Sequence, residues 1–142
     1  MTAVDPDSAA TFQVCVIRSE LTQTCIPKQA IVAELQRCQF REEAVFAIKL
    51  ALEEALTNAV KHGNRNDTSK SITVQYAITA EKAVIVVRDE GGGFVPDEIP
   101  DPTAPDRLPL PNGRGILLMR AYMDEVAYRD QGREVYFVKR ST

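Results

Sequence analysis

From Arg41 to His62, apolar residues recur every three or four positions: Val45, Ile48, Leu52, Ala55 and Ala59. At 3.6 residues per turn they form one stripe, and a helix this long and one-sided must lay that stripe on a second layer. Gly63 supplies a C-terminal stop. The segments around it predict what that layer is. Ile72, Val74, Tyr76 and Ile78 alternate, the run from Ala83 to Arg88 is rich in β-branched residues, and the short turn at Ala80 and Glu81 makes the two a hairpin. Val126 to Tyr128 and Val135 to Lys139 form a second strand pair around Asp130-Gln-Gly132. Earlier in the chain, Thr11 to Arg18 sets Phe12, Val14 and Val16 on one side of a strand. Pro27 then sits in the first turn of a shorter helix that carries Ile31, Leu35 and Cys38 and ends near Gln39. Ile116 to Met123 reads as a third, short helix. The order β-α-α-β-β-loop-α-β-β, with strands joined by short turns, is not the alternation of a doubly wound sheet. The expected fold is α+β, a two-layer sandwich with helices on one face of a mixed, mainly antiparallel sheet.

With 142 residues the chain has the length of one domain, expected to span 1–142 behind a flexible stretch at 1–9. Seventeen Lys and Arg against twenty Asp and Glu leave a net charge of −3, which lacks the basic footprint of a nucleic-acid binder. An anionic ligand must then be held by local devices. Purely apolar runs such as Ala83 to Val87 fall far short of the ~20 residues that span a bilayer. Met1 to Ala10 lacks the basic and apolar regions of a secretory leader. Cys15, Cys25 and Cys38 show no C-x-x-C pairing and read as reduced core thiols, so a cytoplasmic protein is expected.

Three short segments carry candidate chemistry. On the long helix, Ala47, Leu50, Glu54, Asn58 and Lys61 share a stripe that changes from apolar to polar halfway along. Glu54 and Asn58, one turn apart, suit a small oxygen-rich site: Asn58 offers a carbonyl to Mg²⁺ and Glu54 can orient or deprotonate a nucleophile. The same stripe is equally readable as a solvated helix face. Asp89-Glu-Gly-Gly-Gly93 follows a buried-looking strand, so that its Asp can accept from an exocyclic amine while Gly91 to Gly93 admit a ligand closely; alone, it is also a tight turn. Asn112-Gly-Arg-Gly115 opens a helix, where the N–H of Ile116 and the fork of Arg114 suit phosphate; alone, it is a glycine hinge. Between the second and third lies Phe94 to Asn112, holding six of the chain's eight prolines, which marks it as a lid or binding loop.

E-x-x-x-N, then D-x-G-x-G after a strand, then a proline-rich loop and G-x-G at a helix start resembles the GHKL, or Bergerat-fold, ATPase superfamily. More narrowly, E-A-L-T-N-A-V-K-H-G, D-E-G-G-G-F and G-R-G-I-L-L-M-R-A-Y-M-D-E-V resemble the stand-alone anti-sigma-factor serine kinases of bacteria, over roughly residues 10 to 140. The resemblance implies a protein-serine kinase that uses ATP and Mg²⁺, binds a regulatory partner and phosphorylates an antagonist protein. Glu54 would be the general base and Asn58 the metal ligand. Lys61, Asp89, Gly91, Gly93, Asn112, Gly113, Arg114, Gly115 and Ile116 would complete the nucleotide contacts beneath the lid at 94–112. A sigma factor and a second copy of the chain are candidate partners; nucleic acid and membrane are not. Relatives often carry Gly-Thr-Thr near the last strand, with a threonine assisting adenine recognition, where this chain has Gly132-Arg133-Glu134. An ATP-gated binding module without kinase activity, or a detached ATPase domain of a two-component system, are the competing readings.

Overall fold

The structure is a computed structural model, and it describes residues 12–91, 122–129 and 133–141. Strand β1 (Gln13–Arg18) leads through a single turn of tight helix at Leu21–Gln23 to helix α1 (Cys25–Arg37). Helix α2 (Glu42–Asn58) continues without a break into a wide π-helical turn, Ala59–Gly63. Strands β2 (Ser71–Ile78), β3 (Lys82–Asp89), β4 (Glu125–Arg129) and β5 (Glu134–Arg140) follow. The five strands form one sheet in the order β1-β2-β3-β5-β4, and every described pair is antiparallel. This is the expected α+β sandwich. The helix expected at 116–123 and the segment 94–112 lie outside the described residues.

Alternation along each strand decides what meets the helices. Ile72, Val74 and Tyr76 of β2, Ala83, Ile85 and Val87 of β3, and Val135 and Phe137 of β5 pack with Ile48, Leu52 and Leu56 of α2 in one core. Those three α2 side chains have no exposed surface at all. Burying each stabilises the fold by about 1.5–3 kcal/mol, before the entropy of ordering it. Glu42 and Glu43 in the first turn of α2 complement the helix dipole.

Helix α1 stops without a glycine. Gln39 takes a left-handed conformation (φ 62°), the Phe40 N–H reaches back to the Leu35 carbonyl and the Gln39 N–H to that of Gln36. This doubly bonded terminus is sealed by the buried pair Leu35 and Phe40.

The strand expected over Thr11 to Arg18 is present, and its side bearing Val14 and Val16 is the outer one: they are 57% and 60% exposed, while Ile17 is buried and Cys15 packs against the core. Strand β1 is an edge strand, where alternation alone does not say which face is covered. Cys25 is not a core thiol but an exposed one, its S–H donating to the Thr22 carbonyl at the start of α1. Among the described residues, no helix is long and apolar enough to cross a membrane.

Candidate functional site

The inward parity that places Ala83, Ile85 and Val87 in the core continues to Asp89, which is 6% exposed at the end of β3. A carboxylate thus sits at the rim of an apolar layer, opposite the C-terminal end of α2. Its surroundings are built from backbone. A Cβ on Gly63 would fall on the Asp89 carboxylate, and one on Gly91 would fall on the Gly63 carbonyl. Neither glycine is needed for a left-handed turn; both allow two chains to approach closely. Gly63 therefore ends the helical segment for a different reason from the C-terminal stop expected of it. Asp89 Oδ1 accepts the Gly91 N–H at 2.8 Å, and the Asp89 N–H donates to the Arg133 carbonyl at 2.9 Å. Burial pushes the Asp89 carboxyl above its ordinary pKa; the Gly91 hydrogen bond and the nearby charges of Arg133, Arg88 and Lys70 oppose that push.

Asn58 and Asp89 line one cavity, of about 20 Å³, together with Ala55, Ala59, Val87, Tyr128, Arg133 and Val135. The Asn58 side-chain carbonyl Oδ1 is buried and has no hydrogen-bond partner among the described residues. An orphaned amide oxygen is costly unless a ligand completes it. A hard oxygen donor of this kind fits Mg²⁺, which takes only one or two ligands from a protein and the rest from phosphate and water. Among the described residues no cluster of three or more His, Cys, Asp or Glu is arranged to hold a metal alone.

Glu54 lies one helical turn before Asn58 and is half-buried. Desolvation and the charge of Glu53 push its carboxyl above the ordinary pKa, against the pull of Lys61. Its neighbour is otherwise engaged: Glu53 points to α1, where Lys28 Nζ meets it at 2.7 Å. Glu53 thereby ties the two helices together, while Glu54 lies a turn from Asn58 without lining the cavity that holds Asn58 and Asp89. Lys61 is exposed in the π-helical turn. Gly93, Asn112, Gly113, Arg114, Gly115 and Ile116 lie outside the described residues.

One residue escaped the sequence reading, and another, noted there only as a departure from Gly-Thr-Thr, takes a definite place. Asn64 has no exposed surface. Its amide nitrogen donates to Ser19 Oγ (3.0 Å) and the Ser71 carbonyl (3.1 Å), and its Oδ1 accepts the Glu90 N–H (2.8 Å). It pins the loops beyond β1 and β3 and the start of β2 to the end of the helix. A lone Asn in a polar loop carries no such signal. The second is Arg133, whose Nε donates to the Gly91 carbonyl at 2.7 Å. Its neighbour Glu134 faces the other side of the sheet, between Arg88 (3.5 Å) and Arg129 (2.6 Å). Of the two positions that depart from Gly-Thr-Thr, only Arg133 lines the cavity. Among the described residues, larger grooves lie elsewhere, one of about 560 Å³ beside the start of α2 and one of about 580 Å³ between α1 and α2.

The arrangement is an α+β sandwich with a carboxylate at the end of an inner strand and an amide at a helix end on one cavity. Residues 17–139 match the model of the histidine kinase-like ATPase domain, and the chain belongs to that family. Among its relatives is a protein named serine-protein kinase RsbW from Listeria monocytogenes serotype 4a, 33% identical over 113 residues, covering 72% of this chain and 70% of the relative. Another of that name, from Bacillus subtilis, is 29% identical over 97 residues, covering 63% and 60% respectively. A Clostridium perfringens protein named anti-sigma F factor is 30% identical over 103 residues, covering 69% and 74%.

Proposed function

We propose that the chain is an ATP- and Mg²⁺-dependent protein-serine kinase of the anti-sigma-factor type, phosphorylating an antagonist protein and binding a regulatory partner such as a sigma factor. The observation that carries this reading is the buried, unpartnered Asn58 Oδ1 on the same cavity as the Asp89 carboxylate, one turn from a half-buried Glu54. The names of the relatives supply the substrate class.

In this reading Asp89 accepts the adenine amino group, and its burial rewards a donor that reaches it. Asn58 holds Mg²⁺, which neutralises charge on the phosphates when bound. Glu54 takes the proton of the substrate serine as its oxygen bonds to the γ-phosphorus and the bond to the β-phosphate oxygen breaks, releasing ADP. A carboxylate raised above its ordinary pKa is a better base near neutrality than a fully solvated one. Activity should accordingly fall as pH drops through that raised pKa, because the protonated acid cannot accept.

The test is transfer of labelled γ-phosphate to a purified antagonist protein. Glu54→Gln should lower kcat by about 10²–10⁴-fold with ATP affinity nearly unchanged. Glu53→Gln removes the exposed ion pair with Lys28 and one of the charges that raise the Glu54 pKa, so it should retain activity at neutral pH with the acid limb moved to lower pH. Full transfer by Glu54→Gln, or none by the wild type, overturns the kinase reading. Nucleotide-dependent partner binding without transfer would leave a binding module in its place.

A further inference from the structure

The β2–β3 ladder stops where the site begins. Its last pair is Ile72 with Asp89, and the next would be Ser71 with Glu90. The Asp89 N–H is directed at the Arg133 carbonyl, on the β5 side, so the Glu90 N–H turns toward β2. Ser71 and Glu90 are therefore placed to exchange two backbone bonds, and both bonds are diverted. The Asn64 amide stands between the chains: its Oδ1 accepts the Glu90 N–H at 2.8 Å and its nitrogen donates to the Ser71 carbonyl at 3.1 Å. The Ser71 N–H donates to the side chain of Glu90, at Oε1, 2.7 Å away. Two side chains thus supply the bonding of a ladder pair while holding its backbones apart. One residue on, the Gly91 N–H turns back to Asp89 Oδ1 at 2.8 Å. A strand paired through Glu90 would run on extended, with the next N–H aimed at a neighbouring strand instead.

We propose that Glu90 is a positioning residue, whose side-chain oxygen, together with the Asn64 amide, holds the end of β3 off β2 so that residue 91 turns back and fixes the Asp89 carboxylate for the nucleotide. The proposal rests on the nucleotide reading above. Glu90 is exposed and does not line the cavity of Asn58 and Asp89, so it acts through the backbone of residues 89–91. What the Ser71 N–H requires is an oxygen acceptor, which a glutamine carbonyl supplies as well as a carboxylate does. With no acceptor at position 90, that N–H is released to pair with the backbone of β3, and the wedge formed by Asn64 is opposed from one side.

The experiment compares the full wild-type chain with Glu90→Ala and Glu90→Gln by two readouts, amide hydrogen exchange at Gly91 followed by NMR and ATP·Mg²⁺ affinity by calorimetry. In Glu90→Ala the Gly91 amide should exchange about three- to tenfold faster and ATP should bind weaker by a similar factor, the worth of one hydrogen bond. Amides in the middle of β3, such as that of Ile85, should keep their wild-type exchange, which a general loss of stability would not allow. Glu90→Gln should stay within about twofold of wild type in both readouts, because it restores the acceptor without the charge. Unchanged Gly91 exchange in Glu90→Ala, or a Glu90→Gln chain as impaired as Glu90→Ala, overturns the positioning role. Faster Gly91 exchange with unchanged ATP affinity overturns its link to the nucleotide. A wild-type chain with no affinity for ATP overturns the nucleotide reading instead, and the exchange measurement still decides whether Glu90 holds the turn.

Discussion

The middle of α2 and the seam at its end follow opposite rules. Ile48, Leu52 and Leu56 are wholly buried among apolar neighbours, and each adds stability in the ordinary way. A turn beyond, the chain buries Asp89, Asn64 and the Asn58 carbonyl, widens its helix into a π-helical turn and brings the backbones of Gly63 and Gly91 together. Burying polar groups costs free energy unless each is paired. Asn64 is fully bonded within the protein, whereas Asn58 Oδ1 is not. The contrast teaches that one continuous helical segment holds the fold at one end and, among the described residues, leaves a buried acceptor unpaired at the other.

Leu52→Ala probes the first region most harshly. It should cost about 2–5 kcal/mol of unfolding free energy in a denaturant titration, yet leave ATP affinity of the folded fraction unchanged. A large loss of affinity with little loss of stability would erase the distinction between the two regions. Asn64→Ala straddles the boundary. It strands the Glu90 N–H and the Ser71 carbonyl and should cost about 1–3 kcal/mol, while also weakening nucleotide binding because the Asp89–Gly91 loop loses its anchor. Unchanged binding would show that the anchor serves stability alone.

Asp89→Asn sharpens the comparison with the smallest shift and the opposite sign. Because the folded carboxyl titrates above its ordinary value, its contribution is most favourable below the ordinary carboxylate pKa and is lost as pH rises through the raised one. At neutral pH the ionised, buried group therefore burdens the fold. The amide variant should be more stable there, seen as a higher Tm, with a flatter pH dependence and abolished ATP binding. A lower Tm at neutral pH would mean that the Gly91 hydrogen bond and neighbouring cations outweigh desolvation.

Periodicity was enough to read α1 and α2, the hairpin and the last strand pair, because an amphipathic pattern of period 3.6 or 2 is written directly in side-chain type. Glu54, Asn58 and Asp89 were legible as candidates because their spacing and their place at element ends carry chemical meaning. Several features lay beyond that reach. The orientation of β1 depends on which face its neighbours cover, so Val14 and Val16 could be placed on a common side but not on the outer one. Gly63 looked like a helix stop, although its real constraint is the carboxylate of a residue on another strand. Asn64 and Arg133 gained their roles only when β3 and β5 came alongside the end of α2. Local pattern encodes which way a side chain points along its own element; whom it meets is set by pairing between distant segments, and that is a property of the folded chain.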